Sequence, residues 1–255
     1  MSLSFIRTGQ QGILVQSAET GIRFGIDLFL TRIPERKLQN IVEVEDLSDV
    51  ALLFGTHDHL DHIDRDAWKK AAKLHKKLRF VAPRYFEATL PEELSIPAER
   101  FLFVDENETV SYEGIDIQAV AAAHEFLDTS EDGLHPYLIY IVTVEGKKLC
   151  HMGDTCLYEG IYGKLRALGP FDVMFLPING RDAVRYRRNC IGNMTYQEAA
   201  DLAGTLKPAL AVPGHYDMFA DNAEDPEAFL EYVNIKYPGQ TVRVLEPGET
   251  CMLPE

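Results

Sequence analysis

The sequence predicts an α/β fold in which a mixed β-sheet, or two sheets, is covered by outer helices. Three observations lead there. The first part of the chain carries a hairpin pattern. The second half alternates short apolar runs with capped helical segments. Of the 255 residues 46% are hydrophobic, enough for a sizeable core.

Taken in order, Ile13-Leu14-Val15-Gln16 and residues 22–26 flank a Glu19-Thr20-Gly21 turn and read as a hairpin whose second strand ends at Asp27. Val50-Ala51-Leu52-Leu53-Phe54 reads as a buried strand stopping at Gly55-Thr56, and residues 63–78 read as a helix with Asp64 as a candidate N-cap. Strands follow near 79–82, 101–104, 109–112 and 115–123. Residues 137–143 and 148–152 form a hairpin about Glu145-Gly146. Residues 173–176 and 210–212 are short buried strands. Thr195-Tyr196-Gln197-Glu198 fits a capping box before an alanine-rich helix that stops at Lys207-Pro208. Asp225-Pro226 fits an N-cap with proline at the first helical position. No repeat, low-complexity tract or Gly/Ser linker interrupts this order, so the reading is one domain over residues 1–255.

The formal net charge of −15 argues against a nucleic-acid partner, which needs a basic footprint, and against docking on anionic lipid. It leaves room for a small anionic substrate in a local basic pocket. No apolar run reaches the roughly 20 residues of a membrane span. The opening Met-Ser-Leu-Ser-Phe lacks a basic-then-apolar signal pattern, and Cys150, Cys156, Cys190 and Cys251 form no C-x-x-C pair. Reduced thiols and a cytoplasmic location are the expectation. A homo-oligomer stays open.

Residues 56–62 read T-H-D-H-L-D-H, placing three of the eight histidines and two carboxylates at a strand-to-helix turn. Imidazole nitrogen and carboxylate oxygen are the donors that Zn²⁺ and similar ions favour. His57 and His59, two apart, can face one ion, while Asp61 and His62 can reach a second. Asp58 is off the pattern. Three more strand ends carry a metal-compatible side chain: His124 after an apolar run, Asp154 after Gly153, and His215 after Pro213-Gly214. His57, His59 and His124 would serve one ion. Asp61, His62 and His215 would serve the other, with Asp154 bridging. Each ion would keep an open position, as catalytic sites do. Zn²⁺ is the default for such donors, with Mn²⁺ or Fe²⁺ as alternatives. Asp61 and Asp154 are the carboxylates expected in catalysis, and Asp27 is expected to orient a ligand histidine. His75 reads as solvated helix surface and His151 as a hydrogen-bonded core residue.

The order H-x-H-x-D-H, then His, then a strand-end Gly-Asp, then a late strand-end His resembles the metallo-β-lactamase superfamily over nearly the whole chain. Within it, Gly9-Gln10-Gln11-Gly12-Ile13, Ile26-Asp27-Leu28-Phe29, residues 56–64, His151-Met152-Gly153-Asp154-Thr155 and Met194-Thr195 look like L-ascorbate-6-phosphate lactonase-like proteins. The resemblance implies a four-layer αβ/βα sandwich with a dinuclear site at one sheet edge. The chain looks shorter than the lactonase, so that enzyme's substrate is not carried over.

Arg181, Arg185, Arg187 and Arg188 crowd eight residues beyond another strand end. Arg181 and Arg185 are expected to clamp an anionic group. His135, Tyr137 and Tyr216 are further candidates to donate to a substrate oxygen. The expected activity is dinuclear metal-dependent hydrolysis of a small, anionic ester or lactone by metal-bound hydroxide, resembling a phosphorylated sugar lactone. A phosphodiesterase is the alternative. A di-iron oxidoreductase is less favoured, because such proteins tend to carry a carboxylate where this chain has His59. A non-catalytic metal-binding protein is less favoured too, because the ligand set is complete.

Overall fold

The computed structural model describes residues 3–254. Met1, Ser2 and Glu255, part of the expected 1–255 domain and of the N-terminal reading, lie outside the described residues. The first sheet begins with β1 (Leu3–Gly9), β2 (Gly12–Ser17), β3 (Arg23–Ile26) and β4 (Leu52–Phe54). After helix α1 (Arg65–Leu74) come β5 (Arg79–Pro83), helix α2 (Leu90–Leu94) and β6 (Phe101–Val104). The second sheet is built from β7 (Thr109–Tyr112), β8 (Ile115–Ala121), β9 (Leu138–Val144), β10 (Lys147–His151), β11 (Val173–Pro177) and β12 (Leu210–Gly214). Helices α3 (Ile161–Leu168), α4 (Ala183–Arg187), α5 (Tyr196–Leu206) and α6 (Pro226–Lys236) intervene or follow. The last strand, β13 (Thr250–Met252), returns to the first sheet.

The two sheets run β13-β1-β2-β3-β4-β5-β6 and β12-β11-β10-β9-β8-β7. Each is mixed. Strands β3 to β6 are parallel, as are β10 to β12, and the remaining pairs are antiparallel. Apolar residues alternate along the strands and divide between two faces. Ile13 and Val15 enter the core between the sheets while Leu14 faces α1, and Leu52 and Phe54 are separated in the same way from Leu53. In β9, Leu138, Tyr140 and Val142 join the central core. Ile139 and Ile141 pack under α3, α5 and α6. Strands apolar on both faces must be covered on both, and the result is two mixed sheets face to face with helices outside each.

The capping predictions hold. Thr195 accepts from the Glu198 amide and Glu198 reaches back to the Thr195 amide, and Asp225 caps α6 with Pro226 in its first turn. The predicted helix over 63–78 is shorter, and the reason is local. Asp64 caps its start, but the chain leaves the helix at His75, whose ring sits 2.7 Å from the Val44 carbonyl. Arg100 then donates to the carbonyls of Ala72, His75 and Leu78, supplying partners for helix-end acceptors. His75 is therefore an anchor at the helix end, not a solvated surface residue. Strands β1 and β13 went unforeseen: β13 pairs with β1 across nearly the whole chain, Phe5 opposite Cys251, and the tight hairpin of β1 with β2 about Gln10-Gln11 is absent from the expected strands.

Helices α5 and α6 meet closely. A Cβ built on Gly204 would lie 2.2 Å from Cγ of Tyr237, at the root of that ring, where no rotation relieves the clash. Gly204→Ala is expected to destabilise the fold by about 1–2 kcal/mol, overpacking outweighing the ~1 kcal/mol that alanine returns in helix propensity. Urea denaturation measures it. An unchanged midpoint would show that the helices part freely.

Candidate metal centre

The ends of β3, β4, β8, β10 and β12, with the β1–β2 turn, meet at one edge of the sandwich. They contribute Asp27, Thr56 with residues 57–62, His124, Asp154, His215 and Gln10 respectively. In open sheets the strand ends are where loops can converge without disturbing the core. Three non-glycine residues here hold left-handed backbone: Gln10 (φ 53°), Asp27 (φ 50°) and His215 (φ 58°). Such conformations cost on the order of 1–3 kcal/mol each and persist only when neighbours fix them. The neighbours are visible. The Gln10 amide donates to Asp217 Oδ1 at 2.9 Å, and its carbonyl accepts from the His215 amide at 2.8 Å. Asp217 in turn pairs with the buried Arg7 at 2.6 Å.

The donor atoms fall into two groups. His57, His59, His124 and Asp154 bring one ligand atom each within 4.8 Å of one another, and so do Asp61, His62 and His215. Asp154 reaches both groups. Its Oδ1 is 3.3 Å from His62 Nε2, and its Oδ2 is 3.1 Å from His215 Nε2 and 3.7 Å from His124 Nε2. The sequence-predicted ligand set thus assembles completely, with Asp154 between its halves.

Orientation comes from a layer behind. Asp27, fully buried, accepts from the Thr56 amide (2.9 Å) and the Thr56 hydroxyl (2.8 Å), and His62 Nδ1 lies 2.7 Å from its Oδ2. That contact turns His62 Nε2 toward Asp61 and Asp154. Thr56 Oγ1 lies 3.1 Å from His57 Nδ1, leaving Nε2 free to face His59. Gly153, at φ 54°, brings β10 so close to β4 that a Cβ would sit 2.9 Å from Thr56 Cβ. His151 stays in the core, its Nε2 2.8 Å from the Gln11 carbonyl.

A metal fits this donor set. His62 Nε2 and Asp154 Oδ1 are buried without a hydrogen-bond partner, whereas buried polar atoms normally have one. Imidazoles and carboxylates are the ligands of divalent transition metals. The electrostatics agree. Burial pulls His57 well below its ordinary pKa, and His124 down to about 4, which keeps both imidazoles neutral and able to coordinate. Burial would raise Asp154, yet His215 and His62 hold its carboxyl well below the usual range. Burial would likewise lower His62, but Asp154, Asp27 and Asp61 overcome it and raise that pKa.

Two residues were not foreseen in these roles. Gln10 extends its side-chain nitrogen to 2.8 Å from Asp61 Oδ2 and 3.1 Å from His215 Nε2. The sequence signal was a polar pair between two glycines at a strand turn. Tyr137 lays its ring beside His57 (5.4 Å between centroids) and His124 (5.3 Å). Asp58, off the motif, forms a forked pair with Arg65.

The proposed substrate contacts lie differently. Arg181 makes a two-pronged pair with Glu198 and also donates to the Asn193 carbonyl. Arg185 donates to Asp182 and to the Ala223 carbonyl. Each guanidinium is held by a carboxylate and a main-chain carbonyl, which leaves fewer of its five N–H donors for the anion clamp expected of it. Arg188 pairs with Asp221 at 3.5 Å. His135 is held by Asp105, 2.7 Å from its Nδ1. Tyr216 follows His215 but turns into the core, with Arg7 over its ring and its hydroxyl 3.5 Å from the Leu245 carbonyl. A strand-end turn sends adjacent side chains in opposite directions, and only His215 faces the metal groups.

Metal uptake tests these placements. Asp27→Ala should weaken metal affinity roughly 10–100-fold by releasing His62, since partners behind a ligand commonly carry that much. Asp154→Ala should empty both groups while circular dichroism stays unchanged. Isothermal titration with Zn²⁺ and elemental analysis decide, and full metal content in the Asp154 variant would end its joining role.

Comparison with known proteins agrees with this geometry. A family profile described as "Beta-lactamase superfamily domain" matches residues 23–216. A UPF0173 metal-dependent hydrolase of Pyrococcus abyssi is 33% identical over 238 residues, covering 89% of this chain and 91% of that protein. Igni18, described as a novel metallo hydrolase from Ignicoccus hospitalis, superposes with a TM-score of 0.77 at 23% identity over 100% of both chains. CmlA, a diiron β-hydroxylase of Streptomyces venezuelae, shares the fold with a TM-score of 0.72 at 16% identity, over 99% of this chain and 54% of its own. The fold, the matched span and the identity to the Pyrococcus protein together establish that the chain belongs to the metallo-β-lactamase superfamily, within the UPF0173 metal-dependent hydrolase family.

Proposed function

We propose that the protein is a dinuclear metal-dependent hydrolase acting on a small ester or lactone. The observation that carries this reading is the position of Asp154, with one oxygen facing His62 and the other facing His215 and His124. A carboxylate shared between two donor groups suits two ions that flank one reacting centre. A divalent metal, when bound, lowers the pKa of its water toward neutrality and so supplies hydroxide for attack. The chain's own residues then hold, orient and screen. His57, His59 and His124 would hold one ion, Asp61, His62 and His215 the other, with Asp154 touching both. Asp27, 2.7 Å from His62 Nδ1, would accept the proton on that nitrogen and so leave Nε2 available to hold an ion. Gln10 fixes the Asp61 carboxylate. The Tyr137 ring covers the first group and excludes water from one side.

Cys150 and Cys156 offer no competing nucleophile. Cys150 and Cys156 are buried, and burial raises both thiols above their ordinary pKa, which disfavours the reactive thiolate. The ester or lactone bond follows from the resemblance to lactonase-like proteins noted above, and Zn²⁺ is the ion proposed first.

A screen of the zinc-, manganese- and iron-reconstituted protein against aryl esters, lactones and phosphodiesters tests the proposal. Turnover of a carboxylic ester or lactone is expected, lost in Asp154→Ala. Turnover confined to phosphodiesters would keep the metal site and overturn the bond assignment. An iron-specific optical spectrum with no hydrolysis would overturn the hydrolase reading itself.

A further inference from the structure

Beside the first donor group lies a cavity of about 470 Å³ whose walls include Asp58, Tyr85, Phe86, Asp128, Pro136 and Tyr137. It abuts the metal groups at two points. Tyr137 packs its ring against His57 and His124 on the far side, and Asp58 stands between His57 and His59 in the chain. Three aromatic rings and a proline supply flat apolar faces, and Asp58, Asp128, Thr129 and Ser130 make the rest of the lining polar. The lining contains no lysine, arginine or histidine, and it contains two carboxylates. Asp58 is neutralised by Arg65. Asp128 is exposed at the rim and makes no ion pair among the described residues. The surrounding surface continues the theme. Leu60, next to His59, is 46% exposed, and Phe126, whose backbone pairs with His124, is 66% exposed.

An anion at the rim of this cavity would meet the unpaired Asp128 carboxylate, and the nearby Arg65 guanidinium is already engaged by Asp58 and Glu93. A cation or a neutral ring would meet aromatic faces, which attract positive charge, and a carboxylate that complements it. We propose that this cavity binds the non-reacting part of the substrate, and that this part is a flat apolar group without negative charge, preferring a positively charged substituent. This rests on the hydrolase reading for the word substrate. It replaces the anionic substrate expected from the arginine segment, where Arg181 and Arg185 are paired within the chain. Its recognition chemistry is aromatic stacking and cation attraction.

The test uses the zinc-loaded full chain and three probes of one shape: benzyltrimethylammonium, benzyl alcohol and phenylmethanesulfonate, a weak metal ligand. Dissociation constants are read by NMR titration, which does not depend on turnover. The cation is expected to bind tightest and the sulfonate at least tenfold more weakly. Asp128→Asn should narrow the cation-to-sulfonate ratio roughly threefold, as for an exposed charge pair, and leave benzyl alcohol unchanged. Tyr85→Ala should weaken the cation and the alcohol alike. Both positions are exposed, so neither variant challenges folding. Sulfonate binding equal to or tighter than the cation, or binding indifferent to Tyr85→Ala, would overturn the proposal. Probe binding in the expected order without hydrolysis of any ester or lactone would instead remove the hydrolase reading and leave the binding site standing. Ester turnover that none of the probes inhibits would remove the site and leave the hydrolase.

Discussion

At the end of β3 a carboxylate with no access to solvent accepts hydrogen bonds from the amide and hydroxyl of Thr56 and lies against His62. Burying a charge is costly unless it is fully hydrogen-bonded, so Asp27 constrains everything around it. It locks β3 to the end of β4, sets which nitrogen of His62 faces the metal groups and, through Thr56, places His57 as well. Members of both donor groups are thus aimed from one point. Without that point, His62 would have no reason to present Nε2 to Asp154.

A second constraint opposes the first. Gathering five histidines and two carboxylates at one edge sets metal-binding nitrogens against the buried negative charge of Asp154. The rest of the fold holds them there. Left-handed backbone at Gln10, Asp27 and His215 is stabilised by cross-links between the β1–β2 turn and the β12 end, anchored on the buried Arg7–Asp217 pair. Two sheets packed face to face keep those strand ends rigid. Local strain and unsatisfied atoms such as His62 Nε2 then mark the place where the sequence favours ligand binding over its own stability.

The ligand histidines and aspartates were legible because their chemistry is rare and their spacing local. Asp27 was legible because it ends a strand beside them. The alternation of strand and capped helix gave the layers, and Thr195 and Asp225 gave helix starts, because caps act over three or four residues. What stayed hidden depended on distance along the chain. β13 pairs with β1 across almost the full length, and no local pattern announces that pairing. Gln10 acts through a side chain that meets Asp61 and His215 from far away in sequence. The arginine segment misled for the same reason. Composition showed four cations, but the carboxylates that pair with Arg181 and Arg188, Glu198 and Asp221, lie too far along the chain to be matched except in three dimensions. Tyr216 misled because adjacency to a ligand says nothing of which way a turn sends the next side chain.

The central claim is that Asp154 joins two metal groups held in place from behind by Asp27. Anomalous diffraction at the zinc edge from crystals of the metal-loaded protein tests it most directly. The account predicts two peaks, one among His57, His59 and His124 and one among Asp61, His62 and His215, with Asp154 contacting both. A single peak, or two peaks with Asp154 turned away from either, would contradict it.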